Sequence, residues 1–300
     1  MDRTQYKCCR SGANLRRKRR RHRKIRRSVI FTCSIIAVAV FVIVGSRMII
    51  SGDGGTNKYD VEAGNNTYDN AVIENSKISE MNKIQNEQSM LDDIMNSTQY
   101  PKQLQELALK NEEALEFVYD YPTEHVKEHT IDLTEEVSMD SVPLFVQWDK
   151  RWGYEKYSGN FFAASGCGPT TLSMVVVYLT HNRDASPLAV AKYSKEAGYS
   201  VDGSGSSWTL ISEGCRHYGV KAKTVSLDES RMKAELDAGH PIVINVGPGD
   251  FTDTGHFMVI TGYDDEGFSI NDPNSIEKSG KRWLFKNISS QIRAVWSMYV

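Results

Sequence analysis

The second half of this 300-residue sequence predicts an α+β domain, with helices first and an antiparallel sheet after them. Two observations carry this reading. Three segments at helical spacing, Pro187 to Ala197, Trp208 to Tyr218 and Ser230 to Ala238, are each stopped by a glycine: Gly198, Gly219 and Gly239. From Pro241 the period becomes that of strands, over Pro241 to Val246, His256 to Tyr263, Phe268 to Asn271 and Ala294 to Val300. With 40% hydrophobic residues the chain holds enough apolar side chain for one real core.

The elements in order begin with a charge asymmetry. The formal charge of -2 conceals it: residues 1–50 carry 14 Lys and Arg against one acid, Asp2, which leaves 22 bases and 37 acids on the rest. So acidic a body argues against nucleic acid as a partner, because phosphate binding needs a basic surface on the folded part. The bases cluster in Arg16 to Arg27, and an apolar run from Val29 to Val44 follows at once. Ser28 to Ile50 contains a single charge, Arg47. As a helix it would reach roughly 35 Å, enough for a hydrocarbon core of about 30 Å. The positive-inside rule then makes residues 1–27 a cytoplasmic tail and 28–50 an uncleaved signal anchor in the lipid bilayer, with the remainder outside. A cleaved signal peptide fits less well, since no small-x-small cleavage site follows the run.

Residues 51–100 are rich in Asn, Ser, Lys, Glu and Asp and poor in aromatics, which predicts a flexible polar stalk. Ile84, Leu91, Ile94 and Met95 hint at a helical stripe within it. Residues 101–140 form a helical segment: Leu104, Leu107, Ala108, Ala114, Leu115 and Val118 fall near helical spacing, and Pro122 ends the pattern. His125 and His129 have the spacing of metal ligands, but no third ligand accompanies them, so they read as a solvated connector. Residues 141–300 form the folded domain.

Within that domain, Gly166-Cys167-Gly168-Pro169-Thr170-Thr171 precedes the apolar helix Leu172 to Leu179. Pro169 suits a first helical turn and places Cys167 at the helix N-terminus, where free amides and the helix dipole favour an anionic, nucleophilic sulfur. Alone, such a cysteine reads as a small core residue. A nucleophile needs a base, and the base a third group to fix its ring. His256 opens a strand after a glycine-rich loop and is the best base; Asp272 ends the following strand. The turn Asp264 to Gly267 decides whether they meet. Two turn residues would set positions 256 and 272 on opposite faces, whereas three, with Gly267 left-handed, would set them on the same face. Cys8 and Cys9 fall in the tail and Cys33 in the apolar run, so only Cys167 and Cys215 remain outside. Two cysteines make no disulfide framework, though they could pair with each other.

Val142-Pro143-Leu144-Phe145-Val146-Gln147-Trp148-Asp149, Ser165 to Thr170, Gly255 to Tyr263 and Asn271-Asp272-Pro273, in this order, resemble the papain-like cysteine peptidases related to bacteriocin-leader processing. The resemblance covers roughly residues 142–300 and implies a papain-like fold with Cys167 as nucleophile, His256 as base and Asp272 as the residue orienting it. By analogy Gln147 donates to the oxyanion, with the amide of Cys167 as the other donor. The leader-processing enzymes carry their glutamine about six residues before the cysteine, where this chain has Phe161, so an insertion must fold back to bring Gln147 in. The competing role for Gln147 is to cap a strand. Trp148, Trp152 and Trp208 either line the cleft or fill the core, and Gly203 to Ser207 is a lid or an ordinary connection. The expected protein is a bacterial, membrane-anchored extracytoplasmic cysteine peptidase acting on peptide or protein substrates without cofactor or metal. Its alternatives are a cell-wall peptide hydrolase or amidase and an inactive peptide-binding domain.

Overall fold

A computed structural model describes residues 66–300. The expected tail (1–27), signal anchor (28–50) and start of the stalk lie outside the described residues. Among the described residues no helix is long and apolar enough to cross a membrane. Residues 66–81, the first part of helix α1 (Asn66–Asn96), belong to a separate compact unit, and the description below concerns residues 82–300.

Within the expected stalk the chain is helical from Asn66 to Asn96, where the sequence hints at a helical stripe. A helix satisfies its own backbone whatever its composition, and the end of this one docks: Ile94 is fully buried, with Met90 and Leu91 packed beside Leu104 and Leu107. Helix α2 (Lys102–Lys110) stops at Asn111, whose side chain accepts the amide of Glu113 and starts a 3-10 turn, Glu112–Ala114. Helical turns Leu115–Tyr119 and Tyr121–Glu124 follow. Pro122, expected to end the helix, sits in the first turn of the last of these, where its missing amide hydrogen costs nothing.

A hairpin of β1 (Lys156–Tyr157) and β2 (Asn160–Phe161) leads through one helical turn to α3 (Cys167–Thr180), buried throughout from Gly168 to Val177. Helix α4 (Pro187–Glu196) is capped by Ser186, and a second hairpin pairs β3 (Ser200–Val201) with β4 (Gly205–Ser206). The single helix expected from Trp208 to Tyr218 is instead a turn, Thr209–Ser212, and a 3-10 helix, Gly214–Tyr218; Gly214, a poor helix former, stands at the break.

Then come β5 (Lys221–Thr224), helix α5 (Glu229–Asp237), β6 (Ile242–Val246), β7 (His256–Asp264), β8 (Gly267–Asn271), β9 (Arg282–Trp283) and β10 (Ile292–Tyr299). The six strands form one antiparallel sheet in the order β5-β10-β6-β7-β8-β9. The four strands expected from periodicity are β6, β7, β8 and β10. The two not expected, β5 and β9, are the short edge strands, whose outer sides need no apolar pattern. On one face Val243, Phe257, Val259, Trp296 and Met298 meet Leu172, Val175 and Val176 of α3; on the other, Ile244, Met258, Ile260, Phe268 and Ile270 pack with Met232 of α5.

Candidate active site

Cys167 is the first residue of α3, half-buried and unpaired. Its amide belongs to the first turn, where backbone donors have no partner within the helix. Thr170 closes that turn, its amide and hydroxyl both donating to Gly166 O at 3.0 and 2.8 Å. The flanking glycines are close approaches. A Cβ on Gly168 would lie 2.5 Å from Ser206 Oγ, and one on Gly166 2.5 Å from the ring of Phe162. The β3–β4 hairpin therefore lies directly against the residue after the cysteine. It is a tied connection: Tyr157 Oη and Ser206 Oγ share a 2.6 Å hydrogen bond, and Ser158 Oγ accepts from Gly205 N at 2.9 Å.

His256 begins β7, with its carbonyl oxygen accepting from Asn245 Nδ2 at 3.2 Å. The β7–β8 turn has two residues, since Asp264 pairs with Gly267, so of the two turns weighed the shorter is formed. By itself that turn would put positions 256 and 272 on opposite faces. A bulge corrects the parity: Ile260 pairs with Ile270 and Gly262 with Ser269, which leaves Thr261 as an extra residue in β7. Met258, Ile260 and Ile270 consequently share a face, and positions 256 and 272 have their parity. Beyond Asn271 the chain bends, Asp272 bridging to Ser275 and donating its amide to Ser279 Oγ at 2.9 Å.

The result is a buried pair. His256, 6% exposed, donates from Nε2 to Oδ1 of the fully buried Asp272 at 2.6 Å. Nδ1 is then the ring nitrogen turned away from Asp272, and Cys167 lies near enough to the imidazole to act on its charge. Burial alone would push the imidazole towards neutrality; the Asp272 carboxylate, with a smaller contribution from Cys167, outweighs it and raises His256 from 6.5 to about 10. Asp272 Oδ1 also accepts from Asn274 N at 2.8 Å.

Gln147, 4% exposed, is folded back to this region. Its backbone amide donates to Pro273 O at 2.7 Å, tying it to the residue after Asp272. Its Nε2 donates to Ala163 O at 2.7 Å, in the turn that precedes Cys167, and a primary amide keeps a second N–H besides this one. Ala163 lies in a helical turn, so Gln147 does not cap a strand, and its second N–H is not used by this bond. Of the tryptophans, Trp152 is a core residue, while Trp148 and Trp208 are partly buried against the core clusters. Cys215 is buried and unpaired, its thiol pushed by burial up to about 11. His125 and His129 bind the carbonyl oxygens of Tyr121 and Glu124, and among the described residues no group of three or more metal-type donors gathers.

Sequence reading missed Asn111, Glu113, Asn274, Ser275 and Ser279, which hold the loop bearing Asp272. Ser275 followed three residues later by Lys278, whose amide it accepts, is a weak capping signal. Glu113 has none, as its partners lie more than 160 residues away.

A helix that opens on a cysteine, packed on an antiparallel sheet carrying a buried histidine–aspartate pair, defines an α+β domain of the cysteine-peptidase type. Within that class the chain belongs to the family described as Peptidase_C39 like, whose model matches residues 139–300. No curated protein matches it. Among solved structures, the peptidase domain of Streptococcus ComA, a bifunctional ABC transporter involved in a quorum-sensing pathway, is 18% identical with a TM-score of 0.39. That likeness covers 53% of this chain and 96% of the other. A protein described as a C39-like peptidase from Bacillus anthracis is 17% identical with a TM-score of 0.34, over 53% of this chain and 95% of that one.

Proposed function

We propose that this protein is a membrane-anchored extracytoplasmic cysteine peptidase, in which Cys167 is the nucleophile, His256 the acid and base, and Asp272 the residue that fixes the imidazole. The observation that carries it is the buried 2.6 Å contact between His256 and Asp272, with Cys167 near enough to act on the imidazole's charge. A histidine held in its charged form partners a thiolate. The sulfur attacks the peptide carbonyl carbon, and the oxygen takes up the negative charge, received by the amide of Cys167 and the second N–H of Gln147. The imidazolium passes its proton to the amide nitrogen, the C–N bond breaks and the amine leaves a thioester. Neutral His256 then takes a proton from water, the hydroxide adds to the thioester, and loss of the thiolate releases the acid and restores the ion pair.

The anchor rests on the apolar run 28–50 behind the basic block 16–27. In intact cells, a protease added outside should degrade the domain while an epitope before Arg16 survives. Degradation of the epitope first would reverse the topology. For the chemistry, a peptide carrying a thiol-reactive electrophile should label Cys167 far faster than buried Cys215. Equal labelling, together with hydrolysis unchanged in Cys167→Ala, would remove the peptidase reading.

A further inference from the structure

Glu113 belongs to the helical segment upstream of residues 139–300, yet its carboxylate is bound to the loop that carries Asp272. We propose that Glu113 is a positioning residue for Asp272: it clamps the loop 272–279 and so holds Asp272 against His256. The proposal rests on the peptidase reading above.

The loop contains one helical turn, Ile276–Ser279, too short to hold itself, because the first turn of a helix costs more order than its hydrogen bonds return. Glu113 provides what the turn lacks. Its Oε2 accepts the amides of Ile276 and Glu277 at 2.7 and 3.1 Å, and its Oε1 accepts the hydroxyl of Ser275. Ser275 bridges back to Asp272, donating its amide to Asp272 O at 3.1 Å. Asn111 holds the same loop beside it: its Nδ2 donates to the backbone and side-chain oxygens of Asn274 at 2.9 and 3.2 Å. The amide of Asn274 in turn donates to Asp272 Oδ1, the oxygen that also receives His256. Two residues of one upstream turn therefore hold the loop at Asn274 and from Ser275 to Glu277.

The same segment also supports the cysteine side of the site. Leu104, Leu107, Leu115, Phe117 and Val118 share a core cluster with Phe161 and Ala163, and Ala163 O receives the amide of Gln147. A segment outside the family-matched region thus completes the site.

The test uses the full chain in detergent and follows alkylation of Cys167 by iodoacetamide against pH, with Cys215 as internal control. The charged groups bearing on His256 are Asp272 and Cys167, so the alkaline limb of the profile reports how firmly Asp272 is held. In Glu113→Ala that limb should move to lower pH, and the rate at neutral pH should fall roughly ten-fold, the scale of one hydrogen bond to a charged group. Glu113→Gln, which keeps an acceptor oxygen, should recover part of the loss. Combining Glu113→Ala with Asp272→Asn should be no worse than Asp272→Asn alone.

A folded Glu113→Ala with the wild-type profile overturns the clamp, whatever its melting temperature, and so does an effect that adds in full to that of Asp272→Asn. Where Glu113→Ala does not fold, Glu113→Gln decides: a partial shift supports the clamp and a wild-type profile overturns it. If wild-type alkylation is independent of His256, the peptidase reading fails separately. Carbon-13 histidine NMR then decides the clamp, a lowered His256 pKa in the Glu113 variant supporting it and an unmoved one overturning it.

Discussion

His256 Nε2 and Asp272 Oδ1 stand 2.6 Å apart because β7 contains one residue more than its partner strand needs. The two-residue turn at Asp265 and Glu266 points the two positions to opposite faces, and the bulge at Thr261 turns them back to one. The proposed catalytic geometry therefore depends on a residue that is not one of its members.

Deletion of Thr261 tests this dependence. The hairpin becomes regular, Asp272 moves to the face opposite His256, and the pair is lost. Iodoacetamide should then label Cys167 with no His256-dependent limb, as followed by mass spectrometry across pH. A folded deletion variant that keeps the wild-type profile excludes the bulge as the cause.

Asp272→Asn removes the charge that outweighs the burial of His256. Desolvation then dominates, and the imidazole loses its proton at lower pH than the wild-type value of about 10. The alkaline limb of the Cys167 reaction should move towards neutrality, and carbon-13 histidine NMR should show His256 titrating earlier.

The same raised pKa links the pair to stability. A group whose folded pKa lies above its unfolded one stabilises fully below the unfolded value, here 6.5, and loses this as pH rises through about 10. Thermal unfolding of wild type and His256→Gln should therefore differ most near pH 6 and converge by pH values above the folded pKa. A difference that grows with pH contradicts the linkage.

Gln147→Ala separates the proposed oxyanion role from the bond to the Ala163 turn. Loss of an oxyanion donor costs roughly 100- to 1,000-fold in kcat, with KM little changed. Alkylation of Cys167 forms no oxyanion, so its rate and pH profile should hardly move. Equal losses in both assays would assign Gln147 to holding the Ala163 turn instead.

Gly168→Ala would bring a Cβ to 2.5 Å from Ser206 Oγ and push on a hairpin tied to Tyr157 and Ser158. Overpacking of this kind typically costs about 1–3 kcal/mol, measurable by urea unfolding. An unchanged midpoint would mean that the hairpin gives way freely.

The α+β class, four of the sheet strands and the helix opening at Cys167 were legible in the sequence, because each rests on local periodicity or on the chemistry of Gly and Pro. Cys167, His256 and Asp272 could be chosen as candidates from residue type and from their places at element ends. The sequence alone did not determine how they meet. The bulge at Thr261 follows from packing on both sides of the sheet, since one inserted residue leaves no distinct mark in a strand pattern. The edge strands β5 and β9 exist through their partners, and the helix from Asn66 carries too few apolar residues to stand out from a polar spacer. Glu113 shows the limit most directly: only the tertiary fold brings its carboxylate to the amides of Ile276 and Glu277, because contacts between distant parts of a chain are set by how whole elements pack.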